Sequence, residues 1–470
     1  VPDLAAITAG CPSRLRRFEA LNRALAPIFL LAALVGAGTG LLAAALLRSV
    51  SLIDAGRRLL TAWGQTAFDG GGALVSVVVS ALMTLAAVWL VRRFAPEAAG
   101  SGIQEIEGAL AGVRVVRPGR VLPVKLLGGA LSLGAGLSLG REGPTIHMGG
   151  VLGRLLGRVF RESDPHVLHS LVAAGAAAGL AGAFNAPLAG VLFVVEEMRG
   201  AFDFDFVSFQ CVVIAAVASD IVVRLCVDAG PAIAMTVFAM PRLHSLWLFF
   251  IFGVLLGGVG ALFNAGLLAA LARVDKAAAR WPWLFALAVG GAFGLVSWRY
   301  PNLAGGGYPL LREALTGHMG IGLLLFLFLC RFAGALLSYA TGAPGGIFAP
   351  MLALGTLLGM AFGEGVRLWL PGIAPFPGSF AVAGMGALFA STVRAPLTGL
   401  VLIMEMTRNY ELILPLLVTA IAAVVTAETL GGRPIYALLL ERTRAREAAA
   451  GPAGEAAPPP PASCAVREMP

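Results

Sequence analysis

Residues 332–363 read FAGALLSYATGAPGGIFAPMLALGTLLGMAFG, a run without a single Asp, Glu, Lys or Arg. A membrane-crossing helix needs roughly 20 apolar residues, so the run is long enough to span a bilayer. It is interrupted by Gly342 to Gly346 (GAPGG) and again by Pro350, a spacing of glycine and proline that a continuous helix does not tolerate. Backbone freed inside a membrane must face protein or a wet cavity. The stretch therefore predicts helical pieces meeting at a break that lines something.

The rest of the chain repeats the pattern. Residues 24–47, 70–91, 243–272 and 368–393 are also uncharged. Of 470 residues, 58% are apolar and only 13% charged, roughly half the ~25% of a soluble domain. With a mean hydropathy of +0.86, one water-soluble globule cannot hide the apolar surface, which excludes a soluble enzyme. The fold class is an all-α polytopic membrane protein. The net charge of +8 sits largely at the ends, at Arg14, Arg16, Arg17 and Arg23 and at Arg433, Arg442, Arg444 and Arg446. That placement marks cytoplasmic loop ends and not a nucleic-acid surface. Cys11, Cys211, Cys226, Cys330 and Cys464 form no metal or redox spacing, and the basic N-terminal stretch lacks the layout of a signal peptide.

The expected organisation is an amphipathic cytoplasmic segment (1–26), a first membrane repeat (27–226), a linker (227–244), a second repeat (245–440) and a disordered, Pro-rich cytoplasmic tail (441–470). The repeat is visible in the letters. AGAAAGLAGAFNAPLAGVLFVVEEM at 174–198 aligns with AGMGALFASTVRAPLTGLVLIMEMT at 383–407, nine of 25 positions being identical. Upstream, Gly140, Pro144, Gly149, Leu152, Gly153 and Gly157 meet Gly346, Pro350, Gly355, Leu358, Gly359 and Gly363. Basic segments flank both outer ends, and the linker, with Asp228 and Arg242, has no basic cluster. An external linker makes the halves inverted, the architecture of many secondary transporters.

Three Gly-rich breaks precede apolar helical stretches: GSGIQ at 100–104, GREGP at 140–144 and GGIFAP at 345–350. A helix start leaves about four N–H groups free and carries about half a positive charge, so several starts aimed at one point make an anion site without Lys or Arg. The Ser101 hydroxyl adds a donor. Glu142, an ionisable residue at membrane depth, is a functional candidate. Its carboxylate competes with an anion for the same donors and leaves on protonation, which ties anion occupancy to proton binding. The alternative is a salt bridge to Arg141. Glu196 and Glu197 either form a solvated helix end or place one carboxylate inward as a proton relay. Tyr436 either closes the inner side of the anion site through its O–H or belongs to an interfacial belt. His147, His244 and His318 are read as structural or exposed.

At these segments the chain resembles the CLC family of chloride channels and proton-coupled chloride transporters. The resemblance runs from about residue 27 to 443 and includes AAGLAGAFNAPLAGVLFVVEEM at 177–198 and APLTGLVLIMEMT at 395–407. It is strongest to the short bacterial H+/Cl− exchangers. The resemblance implies a homodimer of inverted-repeat protomers with broken, tilted helices. It implies that Ser101, Tyr436 and the N–H groups of Ile347 and Phe348 hold a central chloride. The amides around Arg141, Glu142 and Gly143 would then form an outer site that the Glu142 carboxylate fills and leaves, and Glu197 would transfer protons from inside. Where the family usually has proline, this chain has Gln104.

The expectation is thus an electrogenic H+/Cl− antiporter of the cell's inner (plasma) membrane, with both termini cytoplasmic. Chloride and protons are its substrates, the bilayer its medium, and no cofactor, metal, nucleic acid or enzymatic activity is expected. A passive chloride channel and an exchanger of nitrate or fluoride stay open as alternatives. An intramembrane enzyme would need a nucleophile–base pair or metal motif, and no H-E-x-x-H or G-x-S-x-G appears.

Overall fold

The computed structural model describes residues 14–450 apart from 203, 228–229, 231–232, 234, 236, 279–280, 282, 318 and 372–375. Asp228, His318, Cys11, Cys464 and the tail from 451 onward lie outside the described residues. The described chain is helical throughout. In the first half, α1 (Arg14–Ala67), α2 (Gly71–Phe94), α3 (Ile103–Leu110), α4 (Pro118–Gly134), α5 (Glu142–Val159), α6 (Pro165–Phe184), α7 (Pro187–Glu197) and α8 (Phe206–Cys226) follow in order. The second half is α9 (Leu246–Ala278), α10 (Leu284–Arg299), α11 (Tyr308–Thr316), α12 (Ile321–Ala340), α13 (Phe348–Trp369), α14 (Pro377–Val393), α15 (Pro396–Thr407) and α16 (Ile413–Thr429), and α17 (Ile435–Ala450) closes the chain.

Helix for helix, the halves correspond. Within each half α5 packs on α6 and α13 on α14, while α1 lies against α6 and α8 as α9 lies against α14 and α16. Shared glycines set these contacts. A Cβ on Gly149 would strike the Gly175 carbonyl, and one on Gly355 the Gly384 carbonyl. These four positions are repeat equivalents, and only glycine lets the backbones meet there.

Across the halves the contacts are two-fold. Gly140 and Gly346 exchange both backbone hydrogen bonds, at 2.8 and 2.7 Å, as an antiparallel bridge. The helices α7 and α15 run antiparallel, each N-terminus receiving the glutamate at the other's far end. An axis perpendicular to membrane-embedded helices turns one half upside down relative to the other, so the repeats are inverted.

Eight helices among the described residues are long and apolar enough to cross a membrane. The outer ones carry large apolar residues outward, as Leu30, Leu34 and Leu41 on α1 and Phe326 and Leu329 on α12 do. Inside, α6 and α14 are built from Ala and Gly and are almost wholly buried. The span Leu25–Ala67 has 43 residues, about 65 Å at 1.5 Å each, twice the bilayer's apolar thickness. It therefore tilts or runs past the membrane, carrying Asp54, Arg57 and Arg58 with it.

Two expectations need correction. The break in 332–363 falls where expected, between Ala340 and Phe348, but Pro350 makes no second one. It sits in the first turn of α13, where a missing N–H costs no intrahelical bond. Residues 441–450, assigned to a disordered tail, continue α17 as helix. Arg442 pairs there with Asp275 on α9, and Glu447 with Arg114.

Candidate anion and proton site

The three Gly-rich breaks meet at one place. Gly345 N donates to Gly100 O at 2.9 Å, and the Gly140–Gly346 bridge joins the other two. Gly143 faces Ser101 so closely that a Cβ on it would lie 2.7 Å from Ser101 Cα and 2.9 Å from Gly346 Cα. Glycine is needed for this approach of three backbones.

Glu142 is fully buried at the meeting point. Its Oε1 accepts the N–H of Phe348 at 2.8 Å and of Ala349 at 3.4 Å, at the start of α13. A carboxylate thus lies at a helix N-terminus, where an anion is favoured. A Cβ on Gly140 or Gly346 would collide with it. The other oxygen, Oε2, has no partner among the described residues. Arg141 makes no salt bridge to it. Its Nε donates to Ala183 O at 2.9 Å, and its guanidinium lies 5.5 Å from the Tyr308 ring centroid. Arg141, Gly140 and Tyr308 line a cavity of about 360 Å³ with Asp54, Arg57 and Arg58. The Phe348 N–H, expected on the central chloride, is thus donated to Glu142, and Ala349 joins the site unforeseen.

Ser101 is buried between Gly100 and Gly102, both at positive φ (58° and 79°). Its hydroxyl donates to Gln104 Oε1 at 3.0 Å and accepts from Ile103 N at 3.3 Å, while Ser101 N donates to Tyr339 Oη at 3.3 Å. The carbonyls before this turn are held by Lys125, whose buried Nζ donates to Ala98 O at 3.0 Å and Gly100 O at 2.8 Å. The second half has the same device. Arg331 Nη1 donates to Leu303 O and Gly305 O, each at 2.9 Å, beneath a turn whose Gly305 and Gly307 have φ of 68° and 96°. Gly305 to Pro309 (GGGYP) is therefore a fourth break, the counterpart of residues 100–104.

Tyr436 is fully buried in the first turn of α17, so it is no interfacial belt residue. Its ring lies 6.0 Å from that of Phe348, which also contacts Phe184, Phe193 and Phe389. This aromatic packing fixes where the Phe348 N–H points. The Tyr436 hydroxyl has no partner among the described residues. Ile347 is the residue before α13, and Gly143 lies in the first turn of α5.

The two adjacent glutamates divide. Glu196 accepts from Leu397 N (3.0 Å), Thr398 N (2.6 Å) and Thr398 Oγ1 (2.7 Å), capping α15. Its repeat equivalent Glu405 accepts from Leu188 N (3.2 Å) and Ala189 N (2.8 Å), capping α7. Glu196 is therefore neither a solvated end nor an inward relay but a cross-repeat cap. Glu197, the last residue of α7, shares in neither of these caps. His147 is buried against Gly102, and His244 lies in a turn before α9.

Reading the sequence missed Ala349, Tyr339, Lys125 and Arg331. One signal was present: Lys125 is one of only two lysines in the chain and lies in an apolar helix.

Two inverted repeats, with broken helices whose starts converge on one buried carboxylate, define a helical membrane protein of the inverted-repeat kind with a buried polar centre. A family model described as voltage gated chloride channel matches residues 83–428. The chain is 50% identical over 373 residues to an H(+)/Cl(−) exchange transporter ClcA of Vibrio parahaemolyticus serotype O3:K6 (strain RIMD 2210633), covering 79% of this chain and 80% of that protein. To the H(+)/Cl(−) exchange transporter ClcA of Salmonella paratyphi A (strain ATCC 9150 / SARB42) it is 45% identical over 446 residues, 92% and 93% of the two chains. The solved structure of a slow cyanobacterial Cl−/H+ antiporter superposes with a TM-score of 0.85 at 40% identity, over 90% of this chain and 99% of that one. The chain belongs to the voltage gated chloride channel family, whose named relatives here are transporters and not enzymes.

Proposed function

We propose that the protein exchanges protons for chloride across the cell's inner membrane, as a homodimer with both termini cytoplasmic and no cofactor. The observation that carries this reading is the Glu142 carboxylate held by the Phe348 and Ala349 amides. A carboxylate there is an internal copy of the transported anion. Ionised, it fills the helix start and excludes chloride. Protonated, it is neutral, loses its attraction to the helix start, and chloride takes its place. Each cycle therefore couples an anion step to a proton step. Because the two substrates carry opposite charge in opposite directions, the exchange is electrogenic.

Chloride in the centre would rest on the N–H groups of Ile347 and Phe348 and the hydroxyls of Ser101 and Tyr436. The amides of Arg141, Glu142 and Gly143 belong to the outer step, and the cavity lined by Arg57, Arg58 and Arg141 is its mouth. Glu197 supplies protons from the inner side. The names of the relatives support chloride and protons as the substrates. The arginines at both ends of the membrane region support the cytoplasmic termini.

The test uses purified protein in chloride-loaded liposomes, with potassium and valinomycin setting the voltage, and records chloride efflux and external pH together. Uphill proton movement driven by the chloride gradient is expected. Chloride efflux without proton movement would make the protein a channel and withdraw the proton role of both glutamates.

A further inference from the structure

We infer that Gln104 sets chloride affinity by competing with the anion for the hydroxyl proton of Ser101, an inference that rests on the proposed chloride site. Ser101 has one hydroxyl hydrogen, and here it is given to Gln104 Oε1 at 3.0 Å. The hydroxyl oxygen in turn takes the Ile103 N–H at 3.3 Å. The hydroxyl is thus satisfied within its own turn and presents no donor to the centre. An anion arriving there must draw the hydrogen away from Gln104, and binding is weakened by the hydrogen bond that it breaks.

The repeat isolates what is special about the position. Residues 305–309 (GGGYP) have the same left-handed glycines, the same buried cation beneath them and the same short helix after them as residues 100–104. In that copy the positions of Ser101 and Gln104 are occupied by Gly306 and Pro309. Neither the hydroxyl nor the amide is needed to build the turn. A proline fits the first helical turn, where its N–H is not required. Ser101 and Gln104 form a polar pair that the first half carries in addition to the scaffold, both of them buried. Gln104 is thus a positioning residue: it acts on the anion through Ser101.

Chloride titrations of the purified full chain by calorimetry test this, with Gln104→Met as the variant of similar length that lacks the acceptor. Losing one neutral hydrogen bond's worth of competition tightens chloride binding by about 2- to 10-fold. Gln104→Pro, which copies the second-half turn, gives the same gain if Gln104→Met folds poorly. In a Ser101→Ala background the gain disappears, since no hydroxyl is left to compete for. That non-additivity separates positioning from a general effect on folding. An equal gain with and without the Ser101 hydroxyl, or no change in either background, overturns the inference while leaving the chloride site intact. Weaker binding in Gln104→Met also overturns it, because the amide NH2 would then be on the anion. Absence of chloride binding by the unmodified protein removes the proposed function, and this inference falls with it.

Discussion

Replacing Glu142 by Gln removes the charge from the gate and keeps its shape. The carboxylate accepts one N–H at 2.8 Å and a longer one at 3.4 Å. A hydrogen bond to a charged group contributes about 1.5–3 kcal/mol and a neutral one about 0.5–1.5 kcal/mol. The change at the short bond is therefore about 1–1.5 kcal/mol. Loss of the favourable charge at the start of α13 adds about 0.3–1 kcal/mol. The internal ligand is weakened by roughly 1.3–2.5 kcal/mol, and a chloride competing for the same donors binds about 9- to 70-fold more tightly. Calorimetric titration with chloride at acid and neutral pH measures this. In the unmodified protein chloride binding strengthens as pH falls, because protonation removes the competing carboxylate. In Glu142→Gln it is tight and independent of pH. Proton uptake in the liposome assay is lost while chloride still permeates. Unchanged affinity, a surviving pH dependence or retained proton uptake would refute the competition argument.

Four further outcomes follow from the same geometry. Glu197→Gln loses proton transport and keeps chloride flux in liposomes, and unchanged proton flux would remove it from the relay. Glu196→Ala and Glu405→Ala each uncap a helix of the opposite half and cost about 0.5–2 kcal/mol in thermal unfolding; a Tm equal to that of the unmodified protein would deny the caps any energetic role. Gly346→Ala places a methyl against the Glu142 carboxylate and the Gly143 N–H, so coupling falls in the flux assay, and full coupling would mean that the gate has room to spare. Lys125→Met leaves the Ala98 carbonyl without its side-chain donor and the Gly100 carbonyl with the Gly345 N–H alone, at about 1–3 kcal/mol, read as lower thermal stability and weaker chloride binding.

The spans, the repeat and the three breaks were legible because lipid and close packing act on residue type directly. A bilayer admits few charges, and a backbone contact such as Gly149 with Gly175 admits no Cβ, so both leave marks in single letters. Direction was not legible. Glu196 and Glu197 are the same letter side by side, and only the ~100° step between successive helical residues sends one to cap α15 and the other elsewhere. Nor could the sequence tell that the Phe348 N–H is spent on Glu142, since that depends on a contact across the chain. The fourth break escaped notice because its match to residues 100–104 rests on two glycines and on a Lys–Arg exchange at Lys125 and Arg331. Those two cations share a task, gathering two carbonyls, that either side chain performs.

The repeat register that aligns Gly140 with Gly346 also aligns Glu142 with Phe348. The Glu142 carboxylate thus accepts the N–H of its own symmetry mate. With phenylalanine in the second half, the scaffold of glycines, helix starts and buried cations stays two-fold while the charge does not. Phe348 supplies the donor and, through its contacts with Phe184, Phe193, Phe389 and Tyr436, holds it in place. Glu142 supplies the acceptor. Symmetry builds the cradle, and the asymmetry of one pair of positions puts a carboxylate in it, the group on which the proposed coupling of anion to proton rests.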